Sequence, residues 1–563
     1  MRRLFLTAAT VGPIGLVLVA ALQAGDKSTF ASDSLVLSKS VYMGTADTVV
    51  IGETLPPGCV AVTVKVPNTT PPGGTTSVKV PCGVASDNGE YPNLNDSHNV
   101  WNNAGTDSSF GISSPIFLDN LSTSGDLLGT IAIPTDRIVT SFTSKSELAL
   151  NLSADGKSLT FMGYHGGPGC GPNPALVSPT AINLIDVSAS NTPAICDPTN
   201  PVISSIPPST PPVPVVGTAY YRAVAEVDAL GNITVTDGNA YSGDNGRAAK
   251  KGANGFYYMA GNDNSGNIKA GNLTTTIPGV ELINATGAEL LTPLQVVPPV
   301  PPNVGMIGRL TPLGTDKIGK ETNFRGLTIF NNTLYVSKGS GGNGVNTIYQ
   351  VGATGTLPTG TAAQLAGPAF TPTPLPGFPQ FSLPESTSTF PFGMWFANST
   401  TLYVCEEGDG TFVPNQTING QTNVATAYSR ANAGVQKWIL QNGSWTMAYV
   451  LNDGLDIGVP YSVPNYPASL NPATGGCRNL TGELGPAGTV QIYAVTATLS
   501  TNGDQGADPN KLVRVKDSLS AMTKPVTHGS PNGNGVDGLA LFETIRSAAA
   551  GEVFRGVAFA PSK

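Results

Sequence analysis

The sequence predicts an all-β protein: a single β-propeller of six four-stranded blades, with room for a seventh. Three observations carry this. Helical periodicity is nearly absent, and short β-branched and aromatic runs alternate with Gly, Asn, Asp and Pro. One strand pattern also recurs at intervals of roughly 65 to 95 residues, as in a propeller with long loops. A prior of about 150 residues per domain would divide 563 residues into three or four units, but one closed ring uses several hundred. Charged residues make up 12% of the chain, against about 25% in ordinary proteins. Gly and Pro number 67 and 47. Long charged helices, coiled coils and a basic nucleic-acid surface are thereby excluded, and the net charge of −8 repels phosphate backbones. The 40% hydrophobic content suffices for a large core.

Hairpins are explicit. Segments 148–153 and 157–164 flank an Asp-Gly turn, 326–330 and 333–337 flank Asn331-Asn332, and 393–396 and 401–405 flank a four-residue loop. A short entry motif marks the repeat: Phe324-Arg325-Gly326 and Phe554-Arg555-Gly556, with looser versions at Asn245-Gly246-Arg247 and Cys477-Arg478-Asn479. Second strands carry Tyr335, Tyr403 and Tyr493. Third strands are expected at 221–228, 346–351, 434–440 and 511–515, and fourth strands at 232–236 and 445–451. First strands near 148, 247, 326, 393, 478 and 555 count six blades, and the poorly patterned 264–322 is where a seventh would lie. The strand at 554–560 has no hairpin partner after it, which would leave an open edge. The N-terminal run 34–42 can supply that partner, with 115–118 and 127–133 completing the blade, so the ring is expected to close by joining N- and C-terminal strands.

Residues 1–24 read as a signal peptide: Arg2 and Arg3 precede the uncharged, mostly apolar stretch 4–22, and Ala24 offers a cleavage point. An uncleaved anchor is the rival, since Leu22 at the −3 position and the Gly12-Pro13 break are atypical. The expected location is secreted, extracellular or periplasmic, with no membrane contact after signal removal. The propeller then occupies 25–563. Within it 43–112 is a disulfide-containing loop insertion and 197–217 a Pro-rich surface crossing of extended character. Six cysteines permit fifteen pairings, which sequence does not choose among. Neighbour order suggests Cys59–Cys82, Cys170–Cys196 and Cys405–Cys477. Twelve N-x-S/T sequons, beginning at Asn68, Asn95, Asn120 and Asn151, matter only in a host that glycosylates exported proteins.

In a propeller the first strand of each blade lines the central channel, so Arg247, Arg325, Arg478 and Arg555 are expected to converge, with Glu147 and Met394 at the other two blades. Such a ring suits a carboxylate, sulfate or phosphate through forked hydrogen bonds. The plainer alternative is that each Arg bonds carbonyls or acids of the neighbouring blade and locks the ring. A second set follows the second strands: His165, Asn262, Asp263, Lys338, Glu406, Glu407 and Asp409. Lys338 would join the ligand-binding arginines. His165, Glu406, Glu407 and Asp409 are the catalytic candidates for acid–base work, and Asn262 and Asp263 the metal candidates, for calcium. No cofactor is otherwise called for. His98 and His528 lie in Gly/Asn-rich loops and invite no chemistry.

The Phe-Arg-Gly first strands, the Thr-Leu-Tyr-Val second strands at 333–336 and 401–404, the segment 433–445 and the ending 554–561 together resemble exported β-propeller repeat proteins over most of 140–563. The resemblance implies the fold and no catalytic residue. More remotely the chain is similar to NHL-type propellers and to six-bladed calcium lactonases. The lactonases hold their metal in the channel with Asn, Asp and Glu, and here the corresponding positions carry Arg. Three functions remain open: a non-enzymatic, monomeric binder of an extracellular ligand or macromolecule, carbohydrate or anionic; a lactonase- or esterase-type hydrolase or lyase using the acidic loop residues; or a structural cell-wall or matrix component.

Overall fold

A computed structural model describes residues 29–42, 113–165, 222–262, 280–287, 323–339, 345–499, 505–526 and 538–563, apart from a few positions inside these stretches, together with short strands elsewhere. Residues 1–24 and 197–217, and Cys59, Cys82, His98, Cys170, Cys196, Asp263 and His528, lie outside the described residues.

Six antiparallel sheets form the six blades of a β-propeller. Blade I orders Glu552–Phe559, Leu35–Val41, Ile116–Leu121 and Leu127–Ala132 from the channel outward. Blade II is built on Asn151–Leu152, Ser158–His165, Arg222–Asp228 and Ile233–Gly238. Blade III has Gly246–Lys251, Phe256–Gly261, Val280–Asn284 and Gly305–Met306, and blade IV Phe324–Phe330, Thr333–Lys338, Thr347–Val351 and Pro372–Pro374. Blade V has Pro391–Asn398, Thr401–Glu406, Gly434–Gln441 and Ser444–Leu451, and blade VI Ala473–Leu484, Thr489–Leu499, Lys511–Ser518 and Glu543–Ser547. The described part of 264–322 supplies the outer strands of blade III rather than a further blade. Within 43–112, Val62–Pro67 pairs with Thr75–Val80, and Gly83–Ser86 pairs with Thr54–Leu55 and Asn102–Asn103.

The ring closes where the sequence expects it. Leu35 pairs with Phe559 and Val41 with Glu552, so the two ends of the chain share one sheet. Alternation along this strand serves both neighbours: Leu35 and Leu37 pack with Tyr493, Val495 and Leu512 of blade VI, while Val36 packs with Leu159, Phe161 and Ala225 of blade II. Each such side chain contributes about 2 kcal/mol when fully buried. Lys39 adds ion pairs to Glu552 at 2.9 Å and Asp119 at 3.0 Å, joining the strands on either side of it. First strands pack on one another in the order of the blades and back to the start.

The entry motif has a physical reading. Its Phe is core: Phe324 and Phe554 are buried between blades. Its Gly allows close approach, because a Cβ on Gly326 would run into Phe392 O of blade V and one on Gly556 into Leu150 N of blade II. Its Arg is the extra residue of a β-bulge. The register slips at Arg247, at Arg325-Gly326, at Arg478 and at Arg555, and a bulge turns the extra side chain out of the regular alternation. Gly326→Ala and Gly556→Ala are therefore expected to lower stability by about 1 to 3 kcal/mol through overpacking against backbone. Gly129→Ala, whose Cβ meets nothing within 4 Å, should leave it unchanged. Denaturant midpoints for the three variants check this.

Candidate functional site

The bulges and the ends of the second strands fall at the same end of the channel. Lys338 stands opposite Phe324, Gly261 opposite Gly246 and Glu406 opposite Pro391, so both predicted residue sets gather at one mouth.

Blade II departs from the others there. Its innermost strand is broken: Ile138–Ser141 runs beside His165 and Tyr164, Asn151–Leu152 beside Thr160 and Leu159, and the residues between leave the sheet. Their anchors reach around the ring. Phe142 is buried with Val463, Tyr466, Ala507 and Val553, and its carbonyl accepts from Arg555 Nη2 of blade I. Ser144 Oγ accepts from Asn245 Nδ2 at the start of blade III at 3.1 Å, and Ser146 Oγ accepts from Arg325 Nη1 of blade IV. Lys145 Nζ lies 3.8 Å from Glu407 Oε1, just past the second strand of blade V. Glu147 accepts from Thr140 Oγ1, Ser141 N, Tyr164 OH and Asn245 Nδ2. The excursion crosses the mouth, held from several sides.

All four predicted arginines are at most 5% exposed. Arg247 donates from Nη1 to Asn323 Oδ1 and, at 2.6 Å, to Phe324 O of the next blade. Arg325 Nε donates to Gly339 O at 2.8 Å. Arg555 Nε donates to Ser40 Oγ at 3.2 Å. Arg478 Nε donates to Glu407 Oε2 at 3.2 Å. In blade V the slip spans Phe392 and Gly393, so Phe392 occupies the place that the sequence alignment of repeats assigned to Met394. Met394 is instead buried in the core between blades IV and V. The Phe392 ring lies under both neighbouring cations, 5.3 Å from Arg325 and 6.0 Å from Arg478.

The second set divides. Glu406 is sealed, and both its oxygens accept from Phe390 N at 2.7 and 2.8 Å. Burial pushes its carboxyl well above the usual 4.5, and the nearby Glu407 adds to the shift. Glu407 goes the other way: burial opposes its charge, but Lys145, Arg478 and Arg325 together hold it below 4.5. Asp409 Oδ1 accepts from Ser429 Oγ at 2.7 Å and Thr411 N at 3.0 Å, a local turn brace. Lys338 and Asn262 are buried, Asn262 N donating to Asn245 O. His165 ends its strand opposite Ile138. Among the described residues no group of three or more His, Cys, Asp or Glu is placed to hold a metal ion.

The disulfide Cys405–Cys477 is present, with Cα atoms 5.1 Å apart. Cys405 precedes Glu406-Glu407 and Cys477 precedes Arg478, so the bridge ties blade V to blade VI at the point where Glu407 meets Arg478. Lys145, Ser146, Phe142 and Phe392 are the mouth residues that sequence reasoning missed. The Ser/Thr-rich run 140–146, with one Phe and one Lys just before a first strand, is the signal that marks three of them.

No family model matches the chain, and no curated protein matches it. Among solved structures, a chain of the S. cerevisiae complex of Dbp5 bound to Nup159 and Gle1 aligns at a TM-score of 0.23 and 8% identity, over 54% of this chain and 56% of that one. A crystallised ACO/RPE65 chimera aligns at 0.20 and 9%, over 83% and 60%, and a Synechocystis apocarotenoid oxygenase variant at 0.20 and 10%, over 90% and 66%. The chain spans under two thirds of the length of the first two. Likeness at that level says nothing of what this chain binds.

The adjacent glutamates should respond oppositely to substitution. Glu407→Gln leaves buried cations without their counter-charge and is expected to cost about 3 kcal/mol. The contribution of Glu407 is present above the unfolded pKa of about 4.5 and lost as pH falls through its lower folded value, so the gap between wild type and variant narrows in acid. Glu406 binds its proton more tightly when folded, so its effect on stability declines as pH rises from 4.5 toward its folded value. Glu406→Gln should therefore gain on wild type between pH 4 and 8. Urea titrations of both variants across that range check the signs.

Proposed function

We propose that this chain is an exported, non-enzymatic β-propeller that binds an extracellular ligand or macromolecule, anionic or carbohydrate, at the channel mouth and the surrounding loop face. One observation favours this most: three cations, Lys145, Arg325 and Arg478, act on the one carboxylate Glu407, a local concentration of positive charge in a chain of net charge −8. Export is supported by the basic and apolar stretch 2–22 and is compatible with the Cys405–Cys477 bridge. Among the described residues no helix is long and apolar enough to cross a membrane. Of the sequons, Asn331 and Asn442 stand exposed in hairpin turns, whereas Asn120 is buried and donates to Leu35 O, so a glycosylating host would reach the first two.

The hydrolase reading asks Glu406, Glu407 or Asp409 to move protons on a substrate. Glu406 already spends both oxygens on one backbone N–H, Glu407 is paired with cations, and Asp409 braces its own turn. These bonds favour binding over acid–base work. The test is direct: the secreted chain, purified with its disulfides, is offered immobilised acidic and neutral glycans, and separately lactone and ester substrates with and without chelator. Retention on a glycan or acid with no turnover above blank is the expected result. Metal-dependent turnover that Glu406→Gln abolishes would establish the enzyme instead.

A further inference from the structure

We infer that the mouth holds a carboxylate between the terminal nitrogens of Arg478 and the ammonium of Lys145. The inference rests on the proposed reading that this face binds a ligand, and it names the chemical class.

Arg478 differs from the other three bulge arginines in what its fork does. Arg247 gives Nη1 to Asn323 and Phe324, Arg325 gives Nη1 to Ser146, and Arg555 gives Nη2 to Phe142. Arg478 is equally buried, at 5% exposed, yet among the described residues it donates only through Nε, to Glu407. Its remaining face lies over the Phe392 ring, which accepts no conventional hydrogen bond. Nη1 and Nη2 thus form an uncommitted two-donor edge on a guanidinium already fixed in place by an ion pair, a ring contact and the adjacent disulfide. A planar carboxylate, with two oxygens at matching separation, is the group that such an edge takes in a forked pair.

Charge points the same way. Glu407 faces Lys145 at 3.8 Å and Arg478 at 3.2 Å and feels Arg325 as well, so three cations share this carboxylate. Buried cations in excess of their partners are costly, and an incoming anion relieves that cost. Lys145 is the least buried of the three, with a quarter of its side chain exposed, and supplies both a second charge and the approach from solvent. The sources that share this chemistry are a free small acid and a uronic acid unit of an acidic polysaccharide.

The experiment is calorimetric titration of the mature chain with sodium galacturonate, trigalacturonate, inorganic phosphate and neutral glycans. Wild type is expected to bind galacturonate, and tighter binding of the trimer identifies the polysaccharide as the source whereas equal binding identifies the free acid. Arg478→Gln, and Arg478→Lys which keeps the charge but not the fork, should each weaken binding by about tenfold or more, and Lys145→Gln should weaken it less. Circular dichroism and thermal midpoints establish that each variant is folded, and Lys145→Gln carries the test if the Arg478 variants are not. Galacturonate binding that Arg478→Gln and Lys145→Gln leave intact overturns the inference, as does a preference for phosphate. Neutral glycans bound equally by wild type and Arg478→Gln would also overturn it while leaving the broader binding face in place. No binding of galacturonate or trigalacturonate by folded wild type overturns the inference, and retention on the neutral glycans of the preceding test decides the broader reading separately.

Discussion

The structure depends on the ladder between Leu35–Val41 and Glu552–Phe559. It sets strands from opposite ends of the chain side by side, so the six sheets form a ring instead of an open arc. An unclosed arc would leave the edge of the last strand unpaired and the apolar faces of two blades in water. Closure also decides what the first strands face. Once they encircle an axis, a single extra residue in each of several strands brings side chains far apart in sequence to one place.

That extra residue is the recurring device. Four bulges present Arg and one presents Phe392, while in blade II the innermost strand opens into a whole excursion that lies across the mouth. Buried guanidiniums require partners, and neighbouring blades provide them as carbonyls, a hydroxyl, an amide oxygen and Glu407, with Gly339 O of its own blade serving Arg325. The two roles considered for these arginines are not exclusive. Arg247 and Arg555 each spend a terminal nitrogen on holding blades and excursion together, whereas among the described residues Arg478 donates through Nε. The same interactions explain why adjacent glutamates behave differently: Glu406 is surrounded by backbone and carboxylates, Glu407 by cations.

Much of the fold was legible in the residues. Asn331-Asn332 and the Asp-Gly turn marked hairpins by turn chemistry, and the lone final strand called for its partner at 34–42 by the logic of unpaired edges. Val280–Asn284 and Gly305–Met306 escaped notice because five- and two-residue strands carry too little alternation to stand out from Thr-, Pro- and Gly-rich surroundings. At the site, Arg325 and Arg555 were visible as a repeated motif. Phe392 was not, since a register slip has no signature in composition and shifts the equivalent position by two residues from Met394. Lys145 owes its place to an excursion whose path is set by contacts with Arg555, Asn245 and Arg325, none of them near it in sequence.

Because the mouth exists only if the ring is shut, the most direct measurement is native-state hydrogen exchange along the closing ladder. The amides of Leu37 and Val557 are expected to exchange as slowly as those of Leu402 and Val404 in the middle of blade V, opening only with the whole propeller. Exchange at Leu37 and Val557 that is orders of magnitude faster, as at a fraying terminus, would contradict this.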